Sequence, residues 1–138
     1  MKVLLSESIE DGLPGIILLS HGAFAMALLQ TSKMLYDDDR NLSCFCLEDE
    51  DDPADLREAV IAELTRMPEG SIVLLDLFAG TPYNQMAYAQ MKGHQINGLT
   101  GANLPVLLEA LTLRTECGGA ELIHQLMDAG KQSFIALG

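Results

Sequence analysis

The chain has 138 residues, enough for one domain that buries a core without disulfides. Apolar residues make up 49% and aromatics only 5%, so the core is aliphatic and Met-rich; a formal net charge of -12 argues against nucleic acid as a ligand and favours a partner with a basic face. Three cysteines without Cys-x-x-Cys spacing exclude a disulfide framework and a zinc knuckle; with no run long enough to span a membrane and no signal-peptide stretch, a cytoplasmic protein is expected.

Residues 1–14 form an N-terminal extension of unassigned structure ahead of a domain spanning 15–138. Ile16-Ile-Leu-Leu reads as a strand covered on both faces. Phe24, Ala27, Leu28, Thr31, Met34 and Leu35 recur at helical spacing, and Asp37-Asp-Asp-Arg-Asn closes that helix. Leu42 to Leu47 is a second strand. Glu48-Asp-Glu-Asp-Asp is an acidic loop, and Asp52-Pro53 opens a helix to about Met67 with Leu56, Val60, Ile61 and Leu64 inward. Ser71 to Leu77 is the strongest strand signal. It runs into Phe78-Ala-Gly-Thr-Pro-Tyr-Asn and a helix through Met91. A weaker strand follows within Gly93 to Gly101, then a helix over Leu104 to Arg114. A last helix covers Glu121 to Ala129 and ends at Gly130, and Ser133 to Leu137 reads as a short final strand.

Strand and helix alternate four times, which predicts an α/β single-domain doubly wound sheet, mainly parallel, with helices on both faces. Ligands of such sheets gather beyond the carboxyl ends of the strands. Three polar, turn-forming segments fall there: Ser20-His21-Gly22, Asp76 to Asn84, and Thr100 to Asn103.

His21 stands where a strand stops and a helix starts, beside backbone N–H groups that suit an anion. It is either a satisfied structural histidine or a nucleophile for a phosphoryl group, with Gly22 letting the backbone come close. Asp76, at the same edge, is either a turn residue or the partner that takes one ring nitrogen and leaves the other free. Such a pairing has to orient the ring more than charge it. Thr81 either caps the next helix or binds a phosphate oxygen, and Asn84 and Asn103 support loops or merely form turns. Neither a Walker nor a Rossmann glycine pattern occurs, and Ser20 lies in no G-x-S-x-G elbow. His94 and His124 lack paired motifs and read as structural.

Taken in order, these motifs resemble the enzyme IIA component of the mannose–fructose–sorbose branch of the bacterial sugar phosphotransferase system. Ser20-His21-Gly22 follows the first strand. Asp76-Leu-Phe-Ala-Gly80-Thr81-Pro82-Tyr-Asn84 resembles the family's Asp-x-x-Gly-Gly-[Ser/Thr]-Pro-x-Asn, and Thr100-Gly101-Ala-Asn103-Leu-Pro105 its Gly-x-Asn-[Leu/Ile]-Pro turn. The resemblance implies that His21 is phosphorylated on Nε2, that Asp76 binds the other nitrogen, and that Thr81 helps hold the phosphate, with Gly22, Gly80, Asn84 and Asn103 in support. It implies a donor, the histidine-containing phosphocarrier protein, and an acceptor, a separate IIB component. The IIC and IID membrane subunits, served indirectly, choose the sugar. It also implies a homodimer that exchanges the C-terminal strand, and neither metal nor organic cofactor.

Two departures stand out. Ala79 occupies the place of the family's first glycine, which matters if that position needs positive φ. Residues 1–14 precede a strand with which family members usually begin. Two other readings stay open: a phosphotransfer subunit serving dihydroxyacetone kinase, and a regulatory sensor module of the same fold. The Gly80-Thr81-Pro82-Tyr83-Asn84 loop argues against the first, and retention of both His21 and Asp76 against the second.

Overall fold

The computed structural model describes all 138 residues. Its strands are β1 (Lys2–Leu4), β2 (Ile16–His21), β3 (Leu42–Leu47), β4 (Ile72–Leu75) and β5 (Gly98–Thr100). Its helices are α1 (Phe24–Leu35), α2 (Pro53–Arg66), α3 (Thr81–Met91), α4 (Leu104–Leu113) and α5 (Gly119–Gln132). The strands form one sheet in the order β1-β3-β2-β4-β5. β3, β2, β4 and β5 are parallel, as expected.

The continuous apolar runs work as two interleaved sets. Ile16, Leu18, Cys44, Cys46, Ile72 and Leu74 face α1, α4 and α5 through Ala25, Leu28, Leu29, Val106, Leu107, Leu111, Leu122 and Leu126. The alternate residues Ile17, Leu19, Phe45, Leu47, Val73 and Leu75 face α2 and α3 through Leu56, Val60, Met86 and Ala89. A period of two with both faces covered is the reason these strands carry no polar alternation. Burial pushes the Cys44 thiol up to about 12, so this cysteine is a core residue and not a nucleophile.

The N-terminal extension is not a loose arm. β1 runs antiparallel to β3, with Lys2 opposite Cys46 and Leu4 opposite Cys44, and so covers what would be the exposed edge of β3. Two polar clusters hold the segment that follows. Ser6 N–H donates to Ser43 Oγ at 2.9 Å, and Arg66 Nη2 donates to the Ser6 carbonyl at 2.7 Å. Asn41, buried at φ 48°, accepts from Glu10 N–H at 2.8 Å and donates to the Glu10 and Leu13 carbonyls at 2.9 and 2.7 Å.

Two expectations need correction, and one burial was not anticipated. On α2, Ile61 and Leu64 pack, partly covered, against the core beside Leu56 and Val60 as expected, but Glu63 is buried as well. The carboxylate is tolerated there because Arg66 Nε donates to it at 2.6 Å and the Ser43 hydroxyl donates to its other oxygen. The last helix passes through Gly130 to Gln132 instead of ending at Gly130. A Cβ on Gly130 would come to 3.2 Å from Val106 Cγ2, so the glycine serves the close crossing of α5 over α4. Ser133 caps α5, and Phe134–Leu137 form no strand in the single chain, where no neighbouring backbone pairs with them.

The turn after α1 anchors α4. Asp38 takes Arg40 Nε and Nη2, each at 2.9 Å, and lies 3.3 Å from the buried Arg114 guanidinium. Arg114 Nη1 also donates to the Arg40 carbonyl at 2.6 Å. The Arg40 hydrogen bonds hold the Asp38 carboxyl at about 2, and burial draws Arg114 below its ordinary value.

Candidate active site at the carboxyl ends of the strands

The chain runs from β2 outward to β3, then returns across the sheet to β4. β2 and β4 therefore flank the topological switch point, where crossovers part and leave a crevice. His21 is the last residue of β2, and Asp76 directly follows β4. Asp76 N–H donates to the Leu19 carbonyl at 3.2 Å, which carries the side chain across to β2.

Asp76 Oδ2 accepts two hydrogen bonds from one residue. His21 N–H donates to it at 2.9 Å, and the ring Nδ1 lies 2.9 Å from the same oxygen. A carboxylate only accepts, so Nδ1 carries a proton, and in the neutral ring Nε2 is then the nitrogen with the free lone pair. The His21 side chain is 45% exposed and that of Asp76 16%, so the aspartate is sheltered while the ring opens to solvent.

The loop around the ring is fitted to it. Ser20 is buried, and its Oγ accepts the Ala25 N–H at 2.8 Å, satisfying an orphan donor of the first turn of α1. Gly22 sits at φ 55° and donates to the Leu47 carbonyl at 2.6 Å, turning the chain sharply from β2 into α1. Gly80, the N-cap of α3, packs on the imidazole: a Cβ there would lie 2.5 Å from Cε1 and 3.0 Å from Nε2. The start of α3 thus faces the free nitrogen, with a partial positive charge suited to an anion. Ala79 adopts φ 62°, the left-handed region that a glycine enters without strain.

Thr81 makes no capping hydrogen bond and lines the cleft with His21 and Gly22. Asn103 is a helix cap, its side chain accepting from Val106 N–H at 2.9 Å. Ala102 N–H, donating to the Leu75 carbonyl at 2.9 Å, ties that loop to the end of β4. Asn84 lies on α3, with its amide 3.5 Å from the Ala79 carbonyl, too long for a firm bond. His94 and His124 are exposed, on the turn after α3 and on α5, apart from the cleft residues. Two cleft features were not anticipated: Lys2 of β1, and Glu48 to Asp51, which form one wall.

A doubly wound α/β domain with an aspartate-oriented, solvent-facing histidine at the switch point defines the class. The family model described as the PTS system fructose IIA component (EIIA-man) matches residues 15–127. The chain belongs to this family and is a phosphotransfer component of the EIIA type within the mannose–fructose–sorbose group. It is 33% identical over 121 residues to the PTS system fructose-specific EIIA component of Bacillus subtilis, covering 86% of this chain and 83% of that protein. It is 26% identical over 125 residues to the PTS system mannose-specific EIIAB component of Escherichia coli strain K12, covering 88% of this chain but 39% of that protein. Its fold matches the crystal structure of phosphotransferase system component EIIA from Streptococcus agalactiae with a TM-score of 0.81 at 23% identity, over 88% of this chain and 95% of that one. No helix is long and apolar enough to cross a membrane.

Proposed function

We propose that the protein carries a phosphoryl group on His21 Nε2, accepting it from the histidine-containing phosphocarrier protein and passing it to a IIB component for sugar uptake in the cytoplasm. The observation that carries this reading is the pairing of Nδ1 with Asp76 at 2.9 Å while Nε2 faces the start of α3.

The chemistry follows from that geometry. The Nε2 lone pair attacks phosphorus, the new N–P bond forms as the donor's N–P bond breaks, and the ring becomes cationic. The proton stays on Nδ1, where the Asp76 carboxylate offsets the new charge. The phosphoryl oxygens meet the α3 N-terminus and the Thr81 hydroxyl, with Gly22, Gly80, Asn84 and Asn103 shaping the loops around them. Transfer onward is the same step reversed on the acceptor's nucleophile, so no metal or organic cofactor is needed. Phe24, Leu77 and Phe78 stay exposed close to His21 and Asp76 in sequence, which suits docking of a protein partner better than a small molecule. Phe134, Ile135 and Leu137 are 82%, 83% and 105% exposed, and β5 pairs only with β4, which supports a homodimer formed by exchanging this segment.

Incubation with the general relay proteins and labelled phosphoenolpyruvate tests the carrier reading. We expect an acid-labile, base-stable label on the wild type and none on His21→Ala with the fold intact. An unlabelled wild type would overturn it.

A further inference from the structure

We infer that Ser20 is a positioning residue for phosphoryl transfer: its buried hydroxyl locks the turn that carries His21, and so fixes where Nε2 stands. The inference rests on the carrier reading above and adds to it a group that touches neither the ring nor the phosphoryl group.

The turn needs a lock. Gly22, Ala23 and Phe24 are all exposed, and a Cβ on Gly22 would meet nothing within 4 Å. Packing therefore does not hold the chain just beyond His21, and a glycine at φ 55° has wide backbone freedom. Hydrogen bonds have to do the holding. Toward the sheet, His21 N–H reaches Asp76 and Gly22 N–H reaches the Leu47 carbonyl. Toward α1 nothing local serves, because Ala23, the N-cap, has no side chain able to accept a bond from the first turn.

Ser20 fills that place from across the turn. Alternation along β2 points its side chain to the α1 face, with Ile16 and Leu18, whereas the His21 ring lies on the opposite face against Gly80. The buried hydroxyl donates to the Gly22 carbonyl at 3.2 Å and accepts the Ala25 N–H at 2.8 Å. One group thus ties together both ends of the segment from Gly22 to Ala25. Breaking either bond would leave a polar group unpaired away from water, so the arrangement resists opening. Asp76 orients the ring, and Ser20 steadies the backbone from which the ring projects. Misplacing a reacting atom by about 1 Å can cost about 100-fold in rate, so this steadiness bears on transfer itself.

The test is single-turnover label uptake from the phosphorylated donor, across donor concentration, in the full chain as wild type, Ser20→Ala and Ser32→Ala. Ser32 is the control: it too is buried on α1, and its hydroxyl donates to the Leu29 carbonyl at 2.7 Å, far from the turn. Ser20→Ala should lower the saturating rate about tenfold while the half-saturating donor concentration stays at the wild-type value, because the docking surface is intact. Ser32→Ala should match the wild type in both. A wild-type saturating rate in Ser20→Ala, a change confined to half-saturation, or an equal loss in Ser32→Ala would each overturn the inference while leaving the carrier reading intact. Amide exchange in the wild type covers a Ser20→Ala chain that does not fold. The Ala25 N–H, held by Ser20, should exchange at least about tenfold slower than the unpaired Phe24 N–H after correction for intrinsic rates, and equal rates would overturn the inference. A wild type that accepts no phosphate would remove the carrier reading, and this inference with it.

Discussion

A single carboxylate oxygen, Asp76 Oδ2, receives both the backbone N–H and the ring Nδ1 of His21, each at 2.9 Å. The aspartate therefore fixes where the residue sits and which nitrogen is free. Asp76→Asn keeps the shape but loses the charge and the certainty of the tautomer. We expect phosphoryl transfer to slow by about 10- to 100-fold, with little change in thermal stability. Rapid-quench kinetics of label uptake check this, and wild-type rates in the variant would remove the orienting role.

The loop between β4 and α3 offers two opposite substitutions. Gly80→Ala puts a methyl group 2.5 Å from His21 Cε1, so the ring must leave its place against Asp76. Label uptake should fall about tenfold or more in a folded protein, because the reacting atom is displaced. Ala79→Gly relieves a side chain held at φ 62°. It should stabilise the protein by about 1 kcal/mol after allowing for the freer unfolded chain. Urea unfolding of the two variants beside the wild type separates these effects; an unstabilised Ala79→Gly would show that the left-handed alanine carries no strain.

Acid should loosen the turn after α1. Arg40 holds the folded Asp38 carboxyl at about 2, against an ordinary value of 3.8. A depressed folded value means that its contribution is complete above the unfolded value and is lost as pH falls from about 4 through 2. Allowing for screening around the half-exposed Arg40, the loss is roughly 1–2 kcal/mol. We expect Asp38→Asn to be less stable than wild type at neutral pH and to lose less stability on acidification. Equal acid limbs for the two proteins in denaturant titrations would contradict this.

The exposed C-terminal segment should matter only between chains. Phe134, Ile135 and Leu137 touch little of their own domain. Deleting Ser133–Gly138 should convert a dimer to a folded monomer in light scattering behind a sizing column. A dimer that persists would rule out exchange of this segment.

The parts of the fold and site that the sequence disclosed are those fixed by local pattern. β2, β3 and β4 are continuous apolar runs because helices cover both faces, and their ends carry His21 and Asp76 in plain view. What escaped depends on contacts between distant segments. Gly130 looks like a helix stop until Val106 is seen packed against it. Nothing in the local sequence marks Glu63 for burial; only Ser43 and Arg66, which enclose it, make that possible. Lys2-Val3-Leu4 is too short to announce a strand; the open edge of β3 makes it one. Gly80 was legible as a loop glycine, but its necessity comes from the imidazole lying on it.

The central claim is that Asp76 commits Nδ1 and leaves Nε2 to take the phosphoryl group. The most direct measurement is the nitrogen–phosphorus coupling in NMR spectra of the phosphorylated protein carrying isotopically labelled histidine. We expect phosphorus bonded to Nε2 of His21, with Nδ1 still protonated. Phosphorus on Nδ1, or on any other residue, would contradict the claim.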